Sequence, residues 1–220
     1  MDYKTVLVGW LMGFLFLNAI NTRHIQSSPL PARWRTLFNV GLTLGLPIMP
    51  LAVGIVNREL MGMGQSIQPD GYVIGFSIGH WAIGLQFTLI LTLLSVGLLW
   101  LADRSDRQLQ RPAAPPFNGW QRAIYDEVHW LFYRAVPVLL LNDLFYGSLI
   151  GSVLICVEIL IQHRKQTPTL KTFICVAASS LLYITTQNIG LMILARFVNE
   201  YAAAYFDHLA ENKRFIMVRD

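Results

Sequence analysis

Leu89-Ile90-Leu91-Thr92-Leu93-Leu94-Ser95-Val96-Gly97-Leu98-Leu99-Trp100-Leu101 closes a run, Ile74–Leu101, that holds no Asp, Glu, Lys or Arg. An uncharged apolar stretch beyond about 20 residues is long enough to carry a helix across the hydrocarbon core of a bilayer. The run lacks the strict period-two alternation of a membrane β-strand, and inside lipid only a helix or a closed barrel satisfies its own backbone. It therefore reads as a transmembrane helix.

Outward from that run the same pattern recurs. Candidate spans are Thr5–Ile20, Thr36–Val56, Ile74–Leu101, Val128–Leu141, Leu144–Ile161 and Thr172–Ala195. The fourth is short for a full crossing and continues an interfacial helix that starts near Trp120, because Asn118-Gly119 is a start signal and Arg122, Asp126 and Glu127 mark polar turns. The last holds a polar waist, Thr185-Thr186-Gln187-Asn188, that fits either a broken helix or interhelical hydrogen bonds. Of the 220 residues 54% are hydrophobic and 14% charged, and the mean hydropathy is +0.47, which sets the chain outside the soluble norm. The predicted fold class is all-α, a polytopic transmembrane bundle of six to seven membrane helices forming one domain over 1–220.

Within that domain, 1–110 form an N-terminal three-span half. The linker 111–118 contains Arg111-Pro112-Ala113-Ala114-Pro115-Pro116, whose prolines favour an extended polyproline conformation. A core follows over 119–206, and 207–220 are a polar, exposed tail. The two halves share no internal repeat, which speaks against an inverted-repeat transporter. Met1–Ile20 has some look of a secretory signal, but only Lys4 precedes its apolar core and no clear cleavage site comes before Arg23; it is read as a retained span.

The net charge of +4 resides in short connections and not in a basic stripe with interleaved aromatics, so nucleic acid is not an expected partner. Arg23, Arg33 and Arg35, then Arg104, Arg107, Arg111 and Arg122, then Arg164, Lys165 and Lys171 occupy three connections that belong on the cytoplasmic side. Asn57–Asp70 and the Asn142-Asp143 turn fit the opposite face, which puts the N-terminus outside the cytoplasm. The protein is expected in a plasma or inner membrane, with lipids and other integral-membrane subunits as partners.

Charge inside such a chain usually serves a purpose, and Asp126-Glu127-Val128-His129-Trp130-Leu131-Phe132-Tyr133-Arg134 places four ionisable groups at the mouth of a lipid-facing segment. On a helix Glu127, Trp130, Leu131 and Arg134 share a face. Glu127 then reads either as half of a structural ion pair with Arg134 or as a general base, with Asp126 assisting. Glu158 is a second intramembrane acid, read either as the partner of Arg134 across the Asn142-Asp143 hairpin or as snorkelling to the nearby boundary. Arg196 and Glu200 have the i, i+4 spacing of a local ion pair.

His80-Trp81 and His129-Trp130 read first as interfacial anchors, and His80 and His129 are also the weak candidates for ligand binding. His24, His163 and His208 show no metal-ligand spacing, and Cys156 and Cys175 form neither a CxxC nor a Cys/His pattern, so neither a metal site nor a disulfide framework is predicted. Walker, Rossmann and GxSxG patterns are missing.

The C-terminal half resembles the CPBP family, the CAAX-protease and bacteriocin-processing group of intramembrane proteins. Asp126-Glu127 with Phe132-Tyr133-Arg134-Ala135 is similar to a stretched form of that family's Glu-Glu and Phe-Arg-Gly motif. Leu154-Ile155-Cys156-Val157-Glu158 is the stretch comparable to its Phe-x-x-x-His helix end, with Glu158 standing where the histidine would be. Leu182-Tyr183-Ile184-Thr185-Thr186-Gln187-Asn188, leading to Arg196-Phe197-Val198-Asn199-Glu200, resembles its third motif, with Arg196 and Glu200 at the histidine and asparagine positions.

The resemblance implies an acid pair that activates water for peptide-bond attack. Replacing the histidines by a carboxylate and a permanent cation turns that site toward ion pairing. The expected function is a non-catalytic accessory or structural subunit of a larger membrane complex. One alternative is an active endopeptidase with Glu127 as base and His129 substituting for a family histidine. Another is a lipid-, quinone- or pigment-binding subunit using His80, Trp81, Gln86 and Trp100. No cofactor is required by the first reading; a bound lipid or pigment belongs to the last.

Overall fold

The computed structural model describes residues 3–24, 31, 34, 41, 46–64, 72–73, 75–105, 119–162 and 170–217. They are mostly helical: α1 (Tyr3–His24), α2 (Leu46–Ala52), α3 (Ile78–Ser105), α4 (Gly119–Leu141), α5 (Leu144–Gln162), α6 (Leu170–Thr186) and α7 (Ile189–Met217). One small departure from an all-α chain is an antiparallel pair, β1 (Tyr72–Val73) with β2 (Phe76–Ser77), immediately before α3. The proline-rich linker 111–118, residues 36–40 and 42–45 of the candidate span Thr36–Val56 and the basic connections around Arg33, Arg111 and Arg164 lie outside the described residues; the described end of that span is helical only as α2, and 53–56 form turns instead of continuing the helix to Val56.

Among the described residues, two helices are long and apolar enough to cross a membrane, Ile78–Ala102 and Leu144–Ile161. At ~1.5 Å per residue, the 25 residues of the first exceed the ~30 Å hydrocarbon thickness. Lys4–Leu17 and Leu170–Thr186 are shorter apolar helices.

These helices bury an apolar core and also carry large apolar side chains on their outer faces. On α3, Leu89 and Leu93 are 62% and 64% exposed, while Thr88, Thr92 and Ser95 are buried. Gly84, Thr88, Thr92, Ser95, Leu99 and Ala102 form one buried stripe of mainly small side chains at helical spacing, and it lets α3 lie against α6 and α7. On α5, Phe145, Leu149, Val153 and Leu160 face outward, whereas Ser148, Ile155 and Glu158 face inward. Along α1, Leu7, Leu11 and Phe14 turn in while Met12 and Phe16 turn out.

α4 lies at the centre, with every residue from His129 to Val138 buried. It is one continuous helix of 23 residues that includes Pro137, so the interfacial start near Trp120 and the embedded part are a single element. It packs against α1, α2, α5 and α7. Its antiparallel neighbour α5 follows a tight turn: Asn142 adopts the left-handed conformation (φ 53°), which Asn tolerates better than most residues. The Asp143 carboxylate then accepts the Tyr146 amide at 2.7 Å as the N-cap of α5.

Two glycines set the distance between α4 and α5. A Cβ at Gly147 would stand 2.4 Å from the Val138 Cα, and one at Gly151 would stand 2.5 Å from the Tyr133 carbonyl oxygen. Their four-residue spacing is the GxxxG arrangement by which membrane helices bring backbones together. Ser152 adds a side-chain hydrogen bond to Ser180 on α6 at 2.7 Å.

The polar waist after Tyr183 is a true break. α6 ends at Thr186, Gln187 takes a left-handed φ of 45°, and α7 starts at Ile189. Asn188 caps α7, its Oδ1 accepting the Gly190 amide at 3.0 Å. From outside the helix pair, Gly62 O accepts the Ile189 amide at 2.9 Å and Leu60 O accepts the Tyr183 hydroxyl at 2.8 Å. The segment after α2 thus reaches into the bundle, burying Val56 and Met61. Within the polar tail 207–220, the helix α7 continues to Met217.

Candidate functional site

α4 brings the singled-out charges into the interior. Glu127 and Arg134 are both fully buried. Ser179 on α6 donates to Glu127 Oε2 at 2.6 Å, and Arg134 Nη1 stands 3.6 Å from the same oxygen. That separation is an ion-pair contact but too long for a hydrogen bond. Glu127 Oε1 and all three Arg134 nitrogens have no hydrogen-bond partner among the described residues. The Arg134 guanidinium instead lies 5.9 Å from the centre of the Trp130 ring and 6.0 Å from that of Tyr183, at the outer limit of cation–π attraction.

Glu158 does not pair with Arg134. His129 Nε2 donates to it, standing 2.9 Å from Oε1 and 2.8 Å from Oε2. The cause is the hairpin register. Gly147 lies against Val138, and Gly151 against Tyr133 and Arg134, so moving one helical turn or two along α5 from Gly151 to Glu158 moves back along α4 from Arg134 toward His129. With both side chains buried, Glu158 has a partner inside the protein, where sequence reasoning had offered Arg134 or the membrane boundary. His129 is held from the other side by Phe14 of α1, ring centres 4.9 Å apart.

Arg196 gathers two acids. Its Nη2 donates to Asp126 Oδ2 at 2.9 Å, its Nε donates to Glu200 Oε1 at 2.8 Å, and its guanidinium sits 4.3 Å from the Trp130 ring centre. A planar guanidinium can serve two carboxylates and an aromatic face at once, which an ammonium cannot do with the same geometry. Asn199, one helical turn from Arg196, accepts the Ser95 hydroxyl at 2.6 Å and ties α7 to α3. The result is a polar layer running from Ser95 and Asn199 through Arg196, Asp126, Glu127 and Ser179, with the His129–Glu158 pair on the other side of α4.

The second histidine candidate lies elsewhere. His80 is in the first turn of α3, where its amide donates to the Ser77 Oγ cap at 3.1 Å and its Nε2 donates to Thr186 O at 2.8 Å. It closes the carbonyl end of α6 and is remote from the acids on α4. Trp81 stands beside Gly190, where an added Cβ would come within 3.3 Å of the indole. Gln86 and Trp100 are exposed on α3, so the residues proposed together for a lipid or pigment do not converge on one place. Among the described residues no group of three or more His, Cys, Asp or Glu side chains is placed to hold a metal ion, and Cys156 and Cys175 are free thiols.

Sequence reasoning missed three contributors: Ser179 as the hydrogen-bond donor to Glu127, Trp130 as the surface under Arg196, and the Gly147/Gly151 contact that sets the register. The last had a visible signal, the Gly-x-x-x-Gly spacing itself. No family model, curated protein or solved structure matches the chain.

Proposed function

We propose that the chain is a non-catalytic, multi-span integral-membrane protein, an accessory or structural subunit of a larger membrane complex built on a CPBP-like scaffold. The observation that carries this reading is the distribution of polarity: Glu127, His129, Arg134, Glu158, Arg196 and Asn199 are buried, while large apolar side chains cover the outside of α1, α3 and α5. Exposed apolar surface of this extent calls for lipid or other helices around it. The carboxylates of Asp126, Glu158 and Glu200 are engaged by Arg196 or His129, the arrangement of a brace and not of a solvent-facing catalytic acid.

In this reading α1 and α3–α7, with the stretch around 36–56, make up six to seven membrane helices. The N-terminus is non-cytoplasmic and the basic connections face the cytoplasm, as in a plasma or inner membrane. Extraction from native membranes in a mild detergent, followed by native mass measurement, tests the subunit role. Co-purification with another integral-membrane chain in fixed ratio is the expected result, and a free monomer under every mild condition would remove the idea.

One observation favours a second reading, an intramembrane endopeptidase. Glu127 Oε1 and the Arg134 nitrogens are without hydrogen-bond partners among the described residues, and a buried carboxylate beside a guanidinium is a setting in which a general base can be tuned. Cleavage of a candidate membrane peptide by the native chain but not by Glu127→Gln would establish this reading over the first. His129 is committed to Glu158 and is not placed to assist Glu127.

A further inference from the structure

The outward face of α3 is apolar from Ile83 to Leu101 except for the amide of Gln86 and the indole of Trp100. Gln86 is exposed, and its amide makes no hydrogen bond among the described residues. At ~1.5 Å per residue it stands about 12 Å from the start of the span Ile78–Ala102. That is about 8 Å inside a ~30 Å hydrocarbon layer centred on the span. Its surroundings on the helix are Ile83, Leu89, Ile90 and Leu93, each more than half exposed. An amide without partners in hydrocarbon is costly, and lipid chains offer it neither a donor nor an acceptor.

Gln86 also belongs to a regular seam. Ala82, Gln86, Leu89, Leu93, Val96 and Trp100 follow one another in alternating steps of four and three residues. Each is exposed or half-exposed, and the seam is turned away from the buried stripe by which α3 meets α6 and α7. Such alternation is the spacing with which two helices pack along each other in a left-handed pair, and a single polar residue within it fixes the register. Copies of one chain insert in a membrane with the same orientation, so two of them related by a two-fold axis along the membrane normal present identical residues to each other. A carboxamide carries both a carbonyl acceptor and N–H donors, so Gln86 and the same side chain of a second copy satisfy one another. Hydrogen bonds of this kind hold membrane helices together where hydrophobic burial does not.

We infer that α3 is a self-association helix, by which two copies of this chain pair in the membrane along the Ala82–Trp100 seam with their Gln86 amides hydrogen-bonded to each other. The inference rests on the membrane-spanning part of the proposed function, and neither on a partner of another kind nor on any chemistry at Glu127.

The test is oxidative cross-linking of the full chain in native membranes, with Cys156 and Cys175 replaced by serine and one cysteine introduced at a time. Leu89→Cys and Leu93→Cys lie on the seam, whereas Phe87→Cys and Leu94→Cys are exposed on α3 but off it. Disulfide-linked dimers of the chain at least about tenfold more abundant from the first two than from the second two are expected, because the bond needs close and aligned Cβ atoms. Gln86→Leu should weaken pairing about threefold or more, read as energy transfer between dye-labelled copies in liposomes of increasing lipid content, while Gln86→Asn keeps most of it. Equal linkage of all four cysteines, linkage of the seam to a chain of another kind alone, or unchanged pairing in Gln86→Leu would overturn the inference. No linkage by seam cysteines that a water-borne thiol reagent cannot reach would overturn the pairing and leave the membrane placement standing. Ready reaction of those cysteines with that reagent would overturn both.

Discussion

A guanidinium carries five N–H donors, and those of Arg134 meet no hydrogen-bond acceptor among the described residues although the side chain is fully buried. Its compensation is the Glu127 charge at 3.6 Å and two aromatic rings about 6 Å away. Removing one member of such a pair strands the other in a medium that solvates it poorly, which typically costs about 3–5 kcal/mol. Arg134→Leu is therefore expected to lower stability by that order in equilibrium unfolding in mixed micelles. Arg134→Leu combined with Glu127→Gln should recover about 1 kcal/mol or more, because the carboxylate no longer has to stay charged alone. Strict additivity of the two changes would show that the side chains act independently. The shared face of Glu127 and Arg134 is legible in the sequence because the helical period alone puts them together, and the same is true of Arg196 and Glu200. The partner of Glu158 is not legible in that way. It depends on how far α5 slides along α4, and a shift of one turn exchanges His129 for another residue.

That slide is decided at the level of elements by Gly147 and Gly151, whose missing side chains let the α5 backbone rest on Val138, Tyr133 and Arg134. Any larger residue must push the helices apart or move them along one another, and overpacking of this kind costs about 1–3 kcal/mol. Gly151→Ile is expected to destabilise the fold by that amount and also to separate His129 from Glu158. A following Glu158→Gln change should then cost less in the Gly151→Ile chain than in the native one. An undiminished cost would mean that the glycine contact does not set the register. The apolar runs of α1, α3 and α5 are readable from composition because lipid asks only for length and the absence of charge. The break between α6 and α7 shows in the sequence only as a polar waist. What makes it tolerable is tertiary: the Gly62 carbonyl on Ile189, the Leu60 carbonyl on Tyr183 and the His80 imidazole on Thr186. No local pattern in 183–190 announces these partners, since they come from 57–64 and from the start of α3.

For the molecule as a whole, the same contacts constrain orientation. The segment 57–64 and the first turn of α3 meet the α6–α7 break, while Asp126 near the start of α4 meets Arg196 further along α7. If the helices cross a bilayer, the break, the 57–64 segment and the Asn142-Asp143 turn share one side, and the start of α4 with the end of α3 shares the other. In the proposed orientation the second side is cytoplasmic, because the sequence joining the end of α3 to the start of α4 carries Arg104, Arg107, Arg111 and Arg122. Single cysteines at Asn57 or Asn142, in a chain with Cys156 and Cys175 replaced by serine, should therefore react with a membrane-impermeant thiol reagent added to intact cells. Cysteines at Arg107 or Lys165 should react only after the membrane is opened. The reverse pattern would invert the protein in the membrane. Reaction of all four positions in intact cells would remove the bilayer-spanning arrangement itself.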